Sequence, residues 1–253
     1  MSITYGLKDK VVLVTGGSRG IGFEIAKYCV REGAKVVING RKQEGLDAAA
    51  AELKAGENLL TVSAHIAKEE DVNSLFDAVM KKFGRVDVLI NNVGMNLPGP
   101  SLDETDPALW QKIIDSNLTG TFLVSRKAAA IMKTQKSGKI VSISSIAGRK
   151  ASPGMGIYGI AKAGIEMMTK VLASELALFG VQVNAVAPAM VRTDFSKPFW
   201  SNSDIHEYVV KGIPMGRIAE PLDVVHPALF LASEGSAFIT GQTIVVDGGT
   251  TAV

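Results

Sequence analysis

"KVVLVTGGSRGIG", residues 10–22, sets the reading of this chain. A β-branched apolar run passes without a spacer into a glycine turn, and a segment of helical period follows. Gly16, Gly20 and Gly22 let the chain turn sharply and come close to a ligand. The amide groups exposed where the next helix begins would then face an anion, and a pyrophosphate fits that description. A tight strand-to-helix turn with no ligand is the alternative reading.

Working outward, the same alternation repeats. "AKVVING", "LLTVSA", "VDVLINN", "GKIVSISS", "VQVNAVAP" and "GQTIVVDGG" follow as short apolar runs. Helical periods separate them near 21–31, 43–54, 69–83, 107–133, 157–179 and 221–232. Strands alternating with helices and joined by right-handed crossovers predict a doubly wound parallel sheet of seven strands, with helices on both faces. Residues 1–253 read as one domain. The rhythm breaks at about 189–214, where aromatic and turn residues suggest a lid over a cleft.

Bulk properties exclude other classes. The chain has 47% hydrophobic and 21% charged residues and a formal charge of +2, which gives no reason to expect nucleic acid or a membrane as partner. The single cysteine, Cys29, has no partner within the chain and suits a reducing compartment. "MSITYGLKDK" at the amino end has no apolar signal region, and the final "TAV" is no peroxisomal address, so the expected location is the cytoplasm. No metal site is expected.

"YGIAK", residues 158–162, puts a phenol and an ammonium one helical turn apart, on one face. A neighbouring cation favours a phenolate, so Tyr158 and Lys162 could form a general acid/base pair. Ahead of them, "KIVSISSIAG" offers three serines at a strand end. Alternation sends Ser142 and Ser144 to one side and Ser145 to the other.

Taken together, T-G-x-x-x-G-x-G at 15–22, N-N-x-G at 91–94, Ser145 and Y-x-x-x-K 13 positions later resemble the short-chain dehydrogenase/reductase family over essentially the whole chain. The resemblance implies a Rossmann-type sheet and a nicotinamide dinucleotide. It assigns Ser145 to the substrate carbonyl oxygen and Tyr158 to proton donation. It assigns Lys162 to lowering the Tyr158 pKa and holding the nicotinamide ribose, and Asn117 to a water that links Lys162 to solvent. The cofactor would border Gly16, Ser18, Arg19, Gly20, Ile21 and Gly22. Asn39, His65, Ile66, Asn91 and Gly94 would flank its adenosine end, and Pro188, Val191 and Thr193 its carboxamide. Val93, His65 and Ala189 depart from the usual family residues. Homotetramers that pair the two long helices, 107–133 and 157–179, are also implied.

Cofactor preference turns on "VVINGRKQ". An acid after the second strand binds a ribose diol and repels a 2′-phosphate; here Gly40 stands in that place, followed by Arg41. Arg41 and Arg19 could clasp one phosphate, and cations at a helix start are otherwise disfavoured. NADP(H) is therefore expected in preference to NAD(H), with NAD(H) still able to bind. Asn96, Met190, Phe195 and Trp200, with Met95, Leu97, Met155 and Phe199, would roof a mainly apolar substrate pocket beside Ser145 and Tyr158. The expected reaction interconverts a ketone and a secondary alcohol. Reduction of a 3-oxoacyl thioester, on acyl-carrier protein or coenzyme A, is the alternative, disfavoured by Phe179 where such reductases tend to carry Arg. A dinucleotide sensor without catalysis is a third reading.

Overall fold

The computed structural model describes residues 4–97, 99–152 and 154–252, apart from the side chains of Pro198 and Phe199. Seven parallel strands form one sheet: β1 (Val11–Thr15), β2 (Lys35–Gly40), β3 (Leu59–Ser63), β4 (Val88–Asn91), β5 (Gly138–Ile143), β6 (Val181–Pro188) and β7 (Thr243–Val246). Their spatial order is β3-β2-β1-β4-β5-β6-β7. In register, Val14 lies between Ile38 of β2 and Ile90 of β4. All three are buried, as expected of strands covered on both faces.

Two hydrophobic layers cover the sheet. On one face α1 (Gly20–Arg31), α2 (Gln43–Leu53) and, later in the chain, a helix over Pro221–Ala232 bury Ile25, Cys29, Leu46 and Leu229 against β1 and β2. On the other, α3 (Glu69–Phe83), a long helix over 107–135 and another over 156–176 bury Leu75, Val124, Met132 and Leu176. Fully burying each Leu or Ile contributes roughly 1.5–3 kcal/mol, so neither layer could be lost without losing the fold.

The strand order reverses direction between β1 and β4, and the carboxyl ends of those strands open a crevice there. The long central helix is not uniform. It runs as α4 (Pro107–Ile114), a π-helical turn over Asp115–Thr119, and α5 (Gly120–Gln135). Nothing in the hydrophobic period foretells the π turn. The next helix, α6 (Gly156–Leu176), carries Tyr158 and Lys162.

The segment at 189–214 is more ordered than its composition suggests. It folds into α7 (Lys197–Trp200) and α8 (Ser203–Lys211), and Asn202 caps the second by accepting from the amides of Asp204 and Ile205. The helix α9 (Pro221–Ala232) follows. Among the described residues no helix is long and apolar enough to cross a membrane.

Candidate active site

At the crevice, the first glycine loop is tied to the end of β4. Asn92 donates its side-chain amide to the carbonyls of Thr15 and Gly16 at 3.0 and 3.2 Å, and its backbone amide donates to Thr15 Oγ1 at 3.0 Å. A methyl on Gly22 would sit 2.4 Å from Asn92 Nδ2 and 2.5 Å from the Gly16 carbonyl, so only glycine fits. Gly16 itself has a φ of +65°, which a residue with a Cβ adopts reluctantly. Val93 fits in spite of its extra methyls, packing against the glycine loop and the core beneath it. Ala189 takes no positive φ and donates to the Val246 carbonyl at 3.0 Å, so the missing glycine strains nothing there.

Helix α1 starts at this loop with no side-chain cap. Its first amides are therefore free to meet an anion. Ser18 lies beside Gly40, and Thr193 faces Gly20 across the opening. Arg19 and Arg41 are exposed, and neither has a carboxylate partner among the described residues. The donor set thus fits a dinucleotide bearing an extra phosphate.

Several residues expected at the cofactor also tie the sheet ends beneath the crevice. Asn39 is buried and donates to the carbonyls of Val62 and Ala64, fastening the ends of β2 and β3. Asn91 is buried and donates to Ser125 Oγ and Ser142 Oγ. Ile66 is buried in the core against Gly120. His65 accepts from the Ala67 amide through Nδ1, closing its own turn. The reason is common to the first three: strand-end polar groups and apolar side chains find partners inside the sheet and helix layer before they reach the surface. Ile21 is partly buried against the other layer. Pro188 ends β6, paired with Val246, and Val191 is buried where it bridges to Ala219.

At the catalytic end, alternation along β5 separates the serines as expected. Ser142 and Ser144 are buried, whereas Ser145 is half-buried, lies beside the Tyr158 phenol and accepts from the Ala147 amide at 3.1 Å. The Lys162 side chain is 2% exposed. Its Nζ donates to the Ile143 carbonyl at 2.8 Å and lies 5.4 Å from the centroid of the Tyr158 ring. Asn117, on the π turn, is wholly buried. Its amide donates to the carbonyls of Met95 and Ile113, both at 2.8 Å, and its Oδ1 accepts from the Met95 amide at 3.1 Å. Its donors are thus spent on backbone, and it clamps the loop after β4. A methyl on the exposed Gly94 would lie 3.3 Å from Asn117 Oδ1 and 3.4 Å from Lys162 Nζ, so both polar groups converge on that glycine.

Burial dominates the electrostatics of the pair. Burial pushes the phenol up to about 12, opposed only by the Ser145 hydrogen bond. Burial also pulls Lys162 down to about 8. Desolvation of the charged form is the largest cause in both cases.

A narrow pocket of mixed polar and apolar surface includes Tyr158 in its wall, with Leu97, Leu102, Thr105, Ile113, Met155 and Ile157 among its other lining residues. Of these, sequence reasoning named only Leu97 and Met155; the rest come from helix interiors and a loop with no periodicity to announce them. Asn96 donates to Met155 Sδ at 3.0 Å, which aligns this wall. Met190 joins the bridge through its carbonyl, which accepts from Ala219, and Phe195 is exposed. Trp200 does not face the pocket wall. Its indole N–H donates to Thr193 O at 3.2 Å and Ser196 Oγ at 3.0 Å, and Arg192 stacks on its ring, so it braces the turn at 193–196. The Phe199 side chain lies outside the described residues. No cluster of metal-ligating side chains occurs among the described residues.

Comparison with known proteins agrees with this geometry. A family model described as enoyl-(acyl carrier protein) reductase matches residues 16–251. The chain is 40% identical over 250 residues to a 3-oxoacyl-[acyl-carrier-protein] reductase of Synechocystis, covering 96% of this chain and 97% of that protein. It is 36% identical to human dehydrogenase/reductase SDR family member 4, over 96% of this chain and 88% of that one. A crystal structure of gluconate 5-dehydrogenase from Burkholderia cenocepacia in complex with NADP and tartrate matches with a TM-score of 0.93 and 30% identity, covering 98% of both chains. With its glycine loop, its serine–tyrosine pair and its buried lysine on one crevice, the chain belongs to the short-chain dehydrogenase/reductase family, oxidoreductases that transfer a hydride between a nicotinamide dinucleotide and a carbonyl or alcohol.

Proposed function

We propose that the protein is an NADP(H)-dependent reductase of ketones with apolar substituents. The substrate reading rests on the side chains of the wall around Tyr158, where Leu97, Leu102, Ile113, Met155 and Ile157 are apolar and Thr105 and Tyr158 itself are polar. NADP(H) preference is supported by the exposed Arg19 and Arg41, unpaired among the described residues, and by Gly40, which leaves room where an acid would repel phosphate. The nicotinamide, when bound, supplies the hydride.

The chain's own residues would do the rest. Ser145 and Tyr158 present two hydroxyl donors to the carbonyl oxygen, where negative charge develops, and preplaced donors favour that charge over the neutral ketone. With its pKa near 12, Tyr158 stays protonated at neutral pH and can donate. Lys162, held by the Ile143 carbonyl beneath the ring, stabilises the phenolate left behind, so long as it carries its proton. Asn117 fixes Met95, and with it Gly94, against Lys162. Helices α7 and α8 form the lid.

A second reading, reduction of a 3-oxoacyl thioester, is favoured by the 40% identity to a reductase of that name. Following NADPH and NADH consumption with a panel of small ketones and a 3-oxoacyl thioester separates the two. Faster turnover of the thioester favours the second reading, and cofactor binding without any turnover leaves only a sensor. We also propose a cytoplasmic homotetramer, paired through α4–α5 and α6, which expose Phe122, Ile160, Met167 and Val171. A monomeric mass by light scattering at micromolar concentration contradicts it.

A further inference from the structure

Ser144 stands next to Ser145 but points away from the crevice. Its hydroxyl lies 3.2 Å from the Lys162 carbonyl oxygen and 3.2 Å from Glu166 Oε1, sharing one proton between them. Glu166 follows Lys162 by one helical turn and Tyr158 by two, so the three residues stand on the same face of α6. On the far side of Ser145, Arg149 closes onto the same carboxylate. Its Nε donates to Glu166 Oε1 and Oε2 at 3.1 and 3.0 Å, and its Nη2 lies 2.9 Å from Oε2.

One carboxylate therefore ties both flanks of Ser145, the end of β5 and the turn after it, to the helix that carries Tyr158 and Lys162. The backbone contact there is equally close: a methyl on Gly159 would sit 2.6 Å from the Ala147 carbonyl, and one on Gly148 would sit 2.7 Å from the Ala163 amide. The Glu166 side chain is only 13% exposed. A carboxylate is costly to desolvate, and this one recovers the cost through Ser144 and the Arg149 fork.

We propose that Glu166 is a positioning residue for the reaction, setting Ser145 against Tyr158 through Ser144 and Arg149. It touches neither reacting hydroxyl; its action is to hold two donors, carried on different elements, at one distance from the carbonyl oxygen. The inference rests on Ser145 and Tyr158 being the catalytic donors.

The test is steady-state kinetics of the full chain with NADPH and the best carbonyl of the panel. It uses Glu166→Ala, Glu166→Gln, Ser144→Ala, the Ser144→Ala/Glu166→Ala double variant and Tyr158→Phe. Glu166→Ala should lower kcat roughly tenfold to a hundredfold, the scale of a misplaced catalytic group, while the carbonyl KM and the NADPH Kd stay within about twofold. Glu166→Gln should restore most of kcat, because its side-chain oxygen still accepts from Ser144. The double variant should be no worse than Glu166→Ala alone, since both changes cut one connection. Wild-type kcat in Glu166→Ala overturns the proposal, as does a loss shared with NADPH affinity that Gln does not rescue, or losses that multiply in the double variant. If Glu166→Ala does not fold, Ser144→Ala decides on the same criteria. A dead Tyr158→Phe beside a fully active Glu166→Ala removes the positioning role alone; a fully active Tyr158→Phe removes the catalytic reading and the positioning role with it.

Discussion

The two ends of the crevice handle charge in opposite ways. At the glycine loop, Arg19 and Arg41 stand exposed and unpaired among the described residues, with their ordinary affinity for an anion intact. At the end of β5, Lys162 is buried under a phenol, and desolvation pulls its pKa down to about 8. An exposed cation selects a ligand by its charge. A buried cation has its own proton brought within reach of physiological pH, and becomes part of a proton path.

Four experiments break or sharpen this contrast. Tyr158→Phe should keep cofactor affinity and lose at least ~10²-fold in turnover, because ring packing survives while the proton donor goes. Near-normal turnover, measured by NADPH oxidation, would sink the buried end as the site of chemistry. Arg41→Ala acts on the exposed end. It should raise the KM for NADPH about tenfold, the worth of one charge-assisted hydrogen bond, and leave NADH nearly unchanged; equal effects on both cofactors show that Arg41 does not read the phosphate.

The third experiment is a pH profile. Lys162 is charged below about 8 and neutral above it, so reductive kcat should fall as pH rises through about 8. A flat kcat between pH 7 and 9 contradicts the assignment. The smallest effect concerns stability. Folding lowers the Lys162 pKa below its unfolded value of 10.5, so its burial destabilises the protein below about pH 8, and the penalty fades as pH rises towards 10.5. Lys162→Met should therefore abolish turnover yet raise the thermal midpoint at pH 7 by a few degrees, less whatever the orphaned Ile143 carbonyl costs. A midpoint that falls at pH 7 but not at pH 10 would reverse the sign of the argument.

Legibility followed locality. The glycine loop, the seven strands and the Tyr158–Lys162 spacing lie within short windows, and each appeared where the pattern put it. The π turn at Asn117 did not, because it changes hydrogen-bond register without changing side-chain period. Helix α8 left a faint signal in "NSD", an Asn followed by polar residues suited to a helix start, inside a segment too short for periodicity. The pocket wall left none: Leu102, Ile113 and Ile157 meet only when three elements converge.

The sequence by itself determined the doubly wound sheet, the turn that faces a dinucleotide, and which phenol and which ammonium share a helix face, because strand and helix periods are local and side chains at one-turn spacing must meet. Tertiary structure alone decided which of two adjacent asparagines clamps the loop, that Trp200 braces the 193–196 turn, that burial raises the Tyr158 pKa and lowers that of Lys162, and that Glu166 reaches both sides of Ser145. Each of these depends on burial or on contact between distant segments, and desolvation has no magnitude until the rest of the chain has excluded water.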